Sequence, residues 1–247
     1  MIRKISLLIV FIGLLSPAFS QEKTTKKTSA RPDIPGTFVV EFGFNQAIKP
    51  STNFKVNFFG STAFNLYYQY EFRILKSHFS VVPGIGFSLE RYKFQNGFVL
   101  TNYPGTDSVK MVTRSLGGIG GGFTSLKKSK LVTNYFEIPV EIRYNVNPDD
   151  PARSFKVSFG GRVGYLFDSY TKVKYHEDGE NKKVKDKQNF NLSQLRYGLT
   201  GRIGFGSFSI FGYYNLNPLF EKNKGPVMNG VRTDFNTYTI GLSLASF

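Results

Sequence analysis

From Phe38 onward, apolar and polar residues alternate with a period of two, the period of a β-strand rather than a helix. Phe38, Val40, Phe42 and Phe44 share one face, and Glu41, Gly43 and Asn45 share the other. The alternation returns in Phe64, Leu66, Tyr68, Tyr70, Phe72 and Ile74, in Phe79, Val81, Ile85, Phe87 and Leu89, and in Phe136, Ile138, Val140, Ile142 and Tyr144. It returns again over residues 155–167, 195–205, 208–216 and 238–244. The pattern predicts eight strands. They are longer than the ~5–6 residues of an ordinary soluble strand and match the ~10-residue alternating segments of transmembrane barrels.

The intervening positions decide what the apolar face meets. They carry Gly, Ser, Asn and charged residues, which cannot form an ordinary core. An apolar band on every strand would aggregate in water, so it must meet lipid. Only a closed barrel then satisfies every backbone donor and acceptor. The sequence therefore predicts an all-β fold over residues 36–247, an eight-stranded antiparallel transmembrane β-barrel of up-and-down meander topology. Tyr and Phe near the strand ends suit the interfacial girdles. The predicted connections are short at 76–77, 147–151 and 206–207, medium at 49–61, and long at about 94–133, 168–189 and 217–233. In barrels of this kind short turns face the periplasm and long loops face outward. Residues 99–103 and 109–113 are too short to span and predict an extracellular hairpin rather than a ninth and tenth strand.

By parity the inward face collects Glu41, Glu71, Glu90, Glu137 and Glu141 together with Arg73, Arg143, Lys156, Arg162, Arg196 and Arg202. The lumen of an eight-stranded barrel is just wide enough for its side chains to fill. Buried charges must pair, and Arg suits bidentate pairing with carboxylates. The expectation is a structural charge network that plugs the lumen. An ion path or proton relay is the functional alternative. Catalysis by Glu137 and Glu141, four apart on one strand, is disfavoured because basic neighbours would hold both ionised.

The N-terminus reads as an address. Arg3 and Lys4 precede an apolar run over residues 5–15, Pro17 breaks it, and Ala18-Phe19-Ser20 precedes Gln21 as a small-x-small cleavage site. Residues 1–20 are expected to be a signal peptide, and residues 21–35, polar and Pro-containing, a flexible periplasmic tail. Export changes what the charge means. The formal +15 of the 247-residue chain invites nucleic acid, but an exported chain does not meet the chromosome. The absence of Cys excludes disulfides, thiolate metal sites and a lipoprotein anchor. Two His leave little room for metal or triad chemistry, and no cofactor is expected. His78 lies beside a periplasmic turn, the wrong end for an outer-rim enzyme; His176 lies in a charged outer loop near Asp168, Glu177 and Asp178. Gly117 to Gly122 lacks the Lys-Ser/Thr and the strand-to-helix context of a phosphate loop. Lysines over 172–187, with Lys127, Lys128 and Lys130, suit either a solvated loop or the phosphates of lipopolysaccharide.

Several segments resemble the Bacteroidota outer-membrane β-barrel family often called PorT-like. They are Phe19-Ser20 before Gln21, Val82-Pro83-Gly84-Ile85-Gly86-Phe87, Asn134-Tyr135-Phe136-Glu137-Ile138-Pro139-Val140, and Tyr213 to Phe220 followed by Ile240-Gly241-Leu242-Ser243-Leu244. The resemblance implies an integral outer-membrane barrel with no catalytic motif, and one member type is implicated in type IX secretion and gliding. It also implies a terminal aromatic read by the insertion machinery. Phe247 stands there, in phase with Ala245 and Ser243 rather than with the lipid-facing Leu244 and Leu242.

The functional expectation is a small non-porin, non-enzymatic outer-membrane barrel acting through its outer loops or as an accessory subunit of an envelope complex. Its partners would be outer-membrane lipid and lipopolysaccharide, the insertion machinery and an envelope protein. A lipid- or peptide-modifying barrel enzyme, a narrow solute pore and a soluble periplasmic β-sandwich are the alternatives.

Overall fold

The computed structural model describes residues 36–50, 54–95, 98–102, 109–112, 125–177, 180–228, 231–232 and 234–246. Eight long strands form the fold: β1 (Thr37–Ala47), β2 (Thr62–Gln69), β3 (Phe79–Lys93), β4 (Ser125–Asn145), β5 (Phe155–Glu177), β6 (Leu195–Phe205), β7 (Phe208–Asn215) and β8 (Thr237–Ala245). Each pairs antiparallel with its neighbours in sequence. β8 returns to β1, with Val40 opposite Leu244 and Phe44 opposite Ile240. The ring of eight strands is closed and has no free edge, so its backbone groups are satisfied without water.

The alternation sorts the side chains by exposure. Ile85, Phe159, Ile203 and Leu242 face out, each at least half exposed, while Glu41, Asn65, Glu137 and Thr200 face in and are buried. This is the inverse of a soluble barrel and the pattern of one standing in lipid. The band has aromatic rims. Tyr70 lies against Phe72, and Phe79 against Tyr144, at the end with the short turns. Phe44, Phe58 and Phe59 cluster at the other.

Two strands outrun the sequence expectation. β4 starts at Ser125 rather than near 136, and β5 runs to Glu177 rather than ending near 167. Beyond the band the outward face meets water and headgroups, so Lys128, Lys130, Lys172 and Lys174 replace the apolar residues and the hydrophobic period stops although the strand continues. Part of the expected 168–189 loop is also strand, because Glu180–Asp186 folds back on β5. β2 breaks at Tyr70 and Glu71 and resumes as Phe72–Arg73 against β3. The expected outer hairpin forms from Val99–Asn102 and Val109–Val112 and joins a second short hairpin, Val227–Met228 with Val231–Arg232, in a separate four-stranded sheet. The connection after β4 contains a 3₁₀ turn, Pro151–Arg153. The two-residue turn between β6 and β7 uses Gly206 at φ +55°, where a side chain is disfavoured.

Candidate functional site: the lumen and its two mouths

The lumen holds the charged residues that alternation assigns to the inward face. Arg162 on β5 reaches across the ring to Glu41 on β1, four strands away in either direction, with Nη2 donating to Oε1 at 3.1 Å. It also donates to Thr200 Oγ1 at 2.8 Å and to the Tyr67 hydroxyl at 2.9 Å. Tyr67 in turn donates to Glu137. Arg202 on β6 joins Glu41 to Glu141, with Nε 2.9 Å from Glu41 Oε1 and Nη1 2.6 Å from Glu141 Oε1. Arg196 joins Glu137 to Glu90, at 2.8 Å from each. Asn65 and Tyr92 each donate to a remaining oxygen, of Glu41 and Glu90 respectively, at 2.8 Å. Buried ions are tolerated only with this degree of pairing. Guanidinium forks supply it because one Arg can hold two carboxylates.

Aromatic rings fill what the ions leave. The Arg162 guanidinium carbon lies 5.0 Å from the ring centres of Tyr67 and Tyr213, and that of Arg196 lies 3.8 Å from Tyr135. All three contacts are cation–π in geometry. Inward glycines on neighbouring strands leave the space. A Cβ on Gly198 would lie 2.9 Å from the Tyr213 ring, and one on Gly43 would lie 3.0 Å from Phe211. Large and small residues thus interlock along the inner wall. The candidate residues singled out from the sequence omit Tyr67, Tyr92, Tyr135, Phe211 and Tyr213. Their signal was parity: each is an aromatic residue standing on a polar face.

The end with the short turns is more open. Glu71 accepts from Arg143 at 2.7 Å and from Asn145 at 2.8 Å. Glu71 and Arg143, with Lys156, Arg202, Thr37 and Ser243, line a pocket of about 120 Å³. Arg73 departs from its expected place. It is exposed, with Nη1 2.7 Å from Asp149 across the turns: it keeps its register opposite Ser80 but stands at the very end of the strand, where it also donates to the Lys76 and Ser77 carbonyl oxygens of the turn rather than into the lumen. The inward set is therefore five carboxylates against five cations. Exposed pairs contribute only about 0–1 kcal/mol. Arg73→Ala is accordingly expected to shift the urea midpoint by less than about 1 kcal/mol equivalent, measured by circular dichroism in micelles.

The opposite mouth is covered. Tyr92, Leu131, Tyr135 and Leu166 at the strand ends pack against residues from the outer connections, including Phe54, Leu100, Phe190, Leu192 and Phe220, in one buried apolar cluster. Phe54 is its centre, 4.5 Å from the Phe235 ring and 5.2 Å from that of Phe94. The outer connections therefore form a folded cap with a core of its own.

His78 stacks on Tyr144 and its Nδ1 lies 2.9 Å from the Asn145 carbonyl oxygen, at the turn end. His176 lies at the far end of β5, opposite Asn181. Among the described residues no group of three or more His, Asp or Glu is placed to hold a metal ion. The expected signal peptide and tail, together with Gly117 to Gly122 and Phe247, lie outside the described residues.

The family description "outer membrane protein beta-barrel domain" matches residues 19–221. No curated protein matches the chain in sequence. Among solved structures, the attachment invasion locus protein Ail of Yersinia pestis is similar at 15% identity and a TM-score of 0.35, covering 86% of this chain and 100% of its own. The same protein in complex with the heparin analogue sucrose octasulfate matches at 14% identity and a TM-score of 0.33, over the same shares.

Proposed function

We propose that this chain, which belongs to the outer membrane protein β-barrel domain family, is a closed, non-porin and non-enzymatic barrel that works through its folded outer cap as an accessory subunit of an envelope complex. The observation that carries this reading is the Arg162–Glu41 bridge between opposite strands, with Arg162 1% exposed. An ion would have to break it, and then pass the apolar cap, to cross. A barrel blocked twice over is suited to presenting its surface rather than conducting.

The resemblance to the PorT-like barrels supports a secretion-related role, and the motifs that carry it have structural work in the lumen. Glu137 of the Phe-Glu-Ile-Pro strand is the acceptor for Tyr67 and Arg196. Gly86 of the Pro-Gly-x-Gly strand gives Tyr67 its room. In this reading residues 1–20 are removed on export, residues 21–35 trail in the periplasm, and Phe247 is read by the insertion machinery.

Two measurements test the proposal. In planar bilayers the purified barrel is expected to give no steady conductance steps; regular steps would make it a pore. Crosslinking of tagged protein in native outer membrane, followed by mild solubilisation, is expected to recover one stoichiometric envelope protein. A lone heat-modifiable band would refute the subunit role and leave a self-sufficient barrel.

A further inference from the structure

The outward face of the β3–β4–β5 overhang carries two rows of lysine. Lys93 on β3 stands opposite Lys130 on β4, Lys130 opposite Lys172 on β5, and Lys172 opposite Lys185 of the Glu180–Asp186 strand. Farther out, Lys128 stands opposite Lys174, and Lys174 opposite Lys183. Directly opposed residues share a face, with Cβ atoms ~4.5–5.5 Å apart, and like charges so placed oppose folding. Among the described residues no carboxylate stands in either row. Asp168, four residues nearer the membrane on β5, is held by Lys187 at 3.2 Å and by Asn134 at 3.1 Å. Lys185 is fixed in its row, its Nζ 3.7 Å from the Tyr170 ring centre.

The rows have a definite place relative to the lipid. Lys130 shares its parity with the exposed Phe136 and Ile138 and with Val132, which is covered between the Arg91 and Tyr170 rows, whereas Leu131, Thr133 and Tyr135 point inward and are buried. The lysines therefore continue the lipid-facing wall upward. The first row lies four residues beyond Asn134, or ~14 Å along the strand at ~3.4 Å per residue and about 10 Å along the membrane normal at a barrel tilt of ~40°. With the hydrocarbon edge taken at Asn134, this sets the row at the outer side of a headgroup layer about 5–7 Å deep, within reach of a flexible Lys stem.

We propose that this lysine ladder binds the phosphorylated sugar headgroup of an outer-leaflet glycolipid, packed laterally against the barrel wall. The inference rests on the membrane placement above. The face looks along the membrane plane, so the anion that meets it is the surrounding leaflet's own headgroup rather than a soluble polymer arriving from above. Lys172, Lys128 and Lys174 crowd the Lys130 ammonium with like charge from its own and the neighbouring strand. A phosphate against the row would relieve that repulsion.

The test uses the full chain in nanodiscs of phosphatidylcholine, alone or doped with diphosphoryl lipid A or with its dephosphorylated form. Heat-modifiable mobility confirms the barrel in each, independently of the ladder. Acetylation by a soluble reagent, read lysine by lysine by mass spectrometry, is expected to slow about fivefold at Lys93, Lys130, Lys172 and Lys185 with diphosphoryl lipid A, the effect an anionic surface exerts on a nearby ammonium. It should not slow with the dephosphorylated lipid, and the protection should vanish in 1 M salt, where the Debye length is ~3 Å. The variant Lys130→Gln/Lys172→Gln, outside the lumen, is expected to lose the protection of Lys93 and Lys185 while keeping its mobility shift. Equal reactivity in all three bilayers would overturn the proposal. So would protection by soluble heparin or inositol phosphate with none from lipid A, which would assign the face to a soluble polyanion.

Discussion

Arg162→Met is expected to cost the folded barrel about 3–5 kcal/mol, the range for removing one partner of a fully buried ion network. The side chain supplies the cross-lumen hold on Glu41 and the donor to Tyr67, and its loss leaves both short of a partner in a medium without water. Glu41→Gln should cost a similar amount, since it removes the negative charge that Arg162 and Arg202 share. The double variant Glu41→Gln/Arg162→Met should cost clearly less than the sum of the two, because the second change removes a charge the first had already orphaned. Urea unfolding in micelles checks this, followed by gel mobility and far-ultraviolet circular dichroism, since the chain has no Trp. Losses below about 1 kcal/mol for each single variant would mean that the lumen is wet and the charges are hydrated, which would also reopen the pore.

Gly86→Val is expected to abolish assembly, leaving no heat-modifiable band. A Cβ at Gly86 would lie 2.1 Å from the Leu66 carbonyl oxygen and 2.8 Å from the Tyr67 Cα. Both atoms are backbone of the paired strand, so relief requires β2 and β3 to separate and the ring to open. A side-chain clash would cost about 1–3 kcal/mol; a lost strand pairing exposes a row of donors and acceptors to hydrocarbon. Gly212 supplies the control. It belongs to the outward-facing set on β7, and a Cβ there meets nothing within 4 Å, so Gly212→Ala should assemble normally. Failure of both variants would point to a general intolerance of the glycine positions rather than to strand contact at Gly86.

These two expectations draw on different layers of information. That Glu41, Arg162 and Gly86 face the lumen was legible in the sequence, because a period of two is a local property of an extended chain and needs no partner. The same reasoning placed Glu90, Glu137, Glu141, Lys156, Arg196 and Arg202 on that face. It went astray at Arg73, where parity gives the right register opposite Ser80 but not the height along the barrel, which puts the side chain at the turn beyond the lumen. It also began β4 too late and ended β5 too early, because hydrophobic alternation reports contact with lipid, and a strand continuing into headgroups and water keeps its pleat while losing that mark.

By itself the sequence determined the eight-strand count, the two-faced character of each strand and the short-turn, long-loop rhythm, since all three follow from local periodicity and turn chemistry. The tertiary structure alone decided which charge meets which. Arg162 finds Glu41 across 121 positions of sequence, a pairing set by register and closure of the ring and by nothing near either residue in the chain. The cap core around Phe54 and the alignment of seven lysines from four strands are decisions of the same kind. Each requires segments distant in sequence to be brought into register, and only the closed barrel does that.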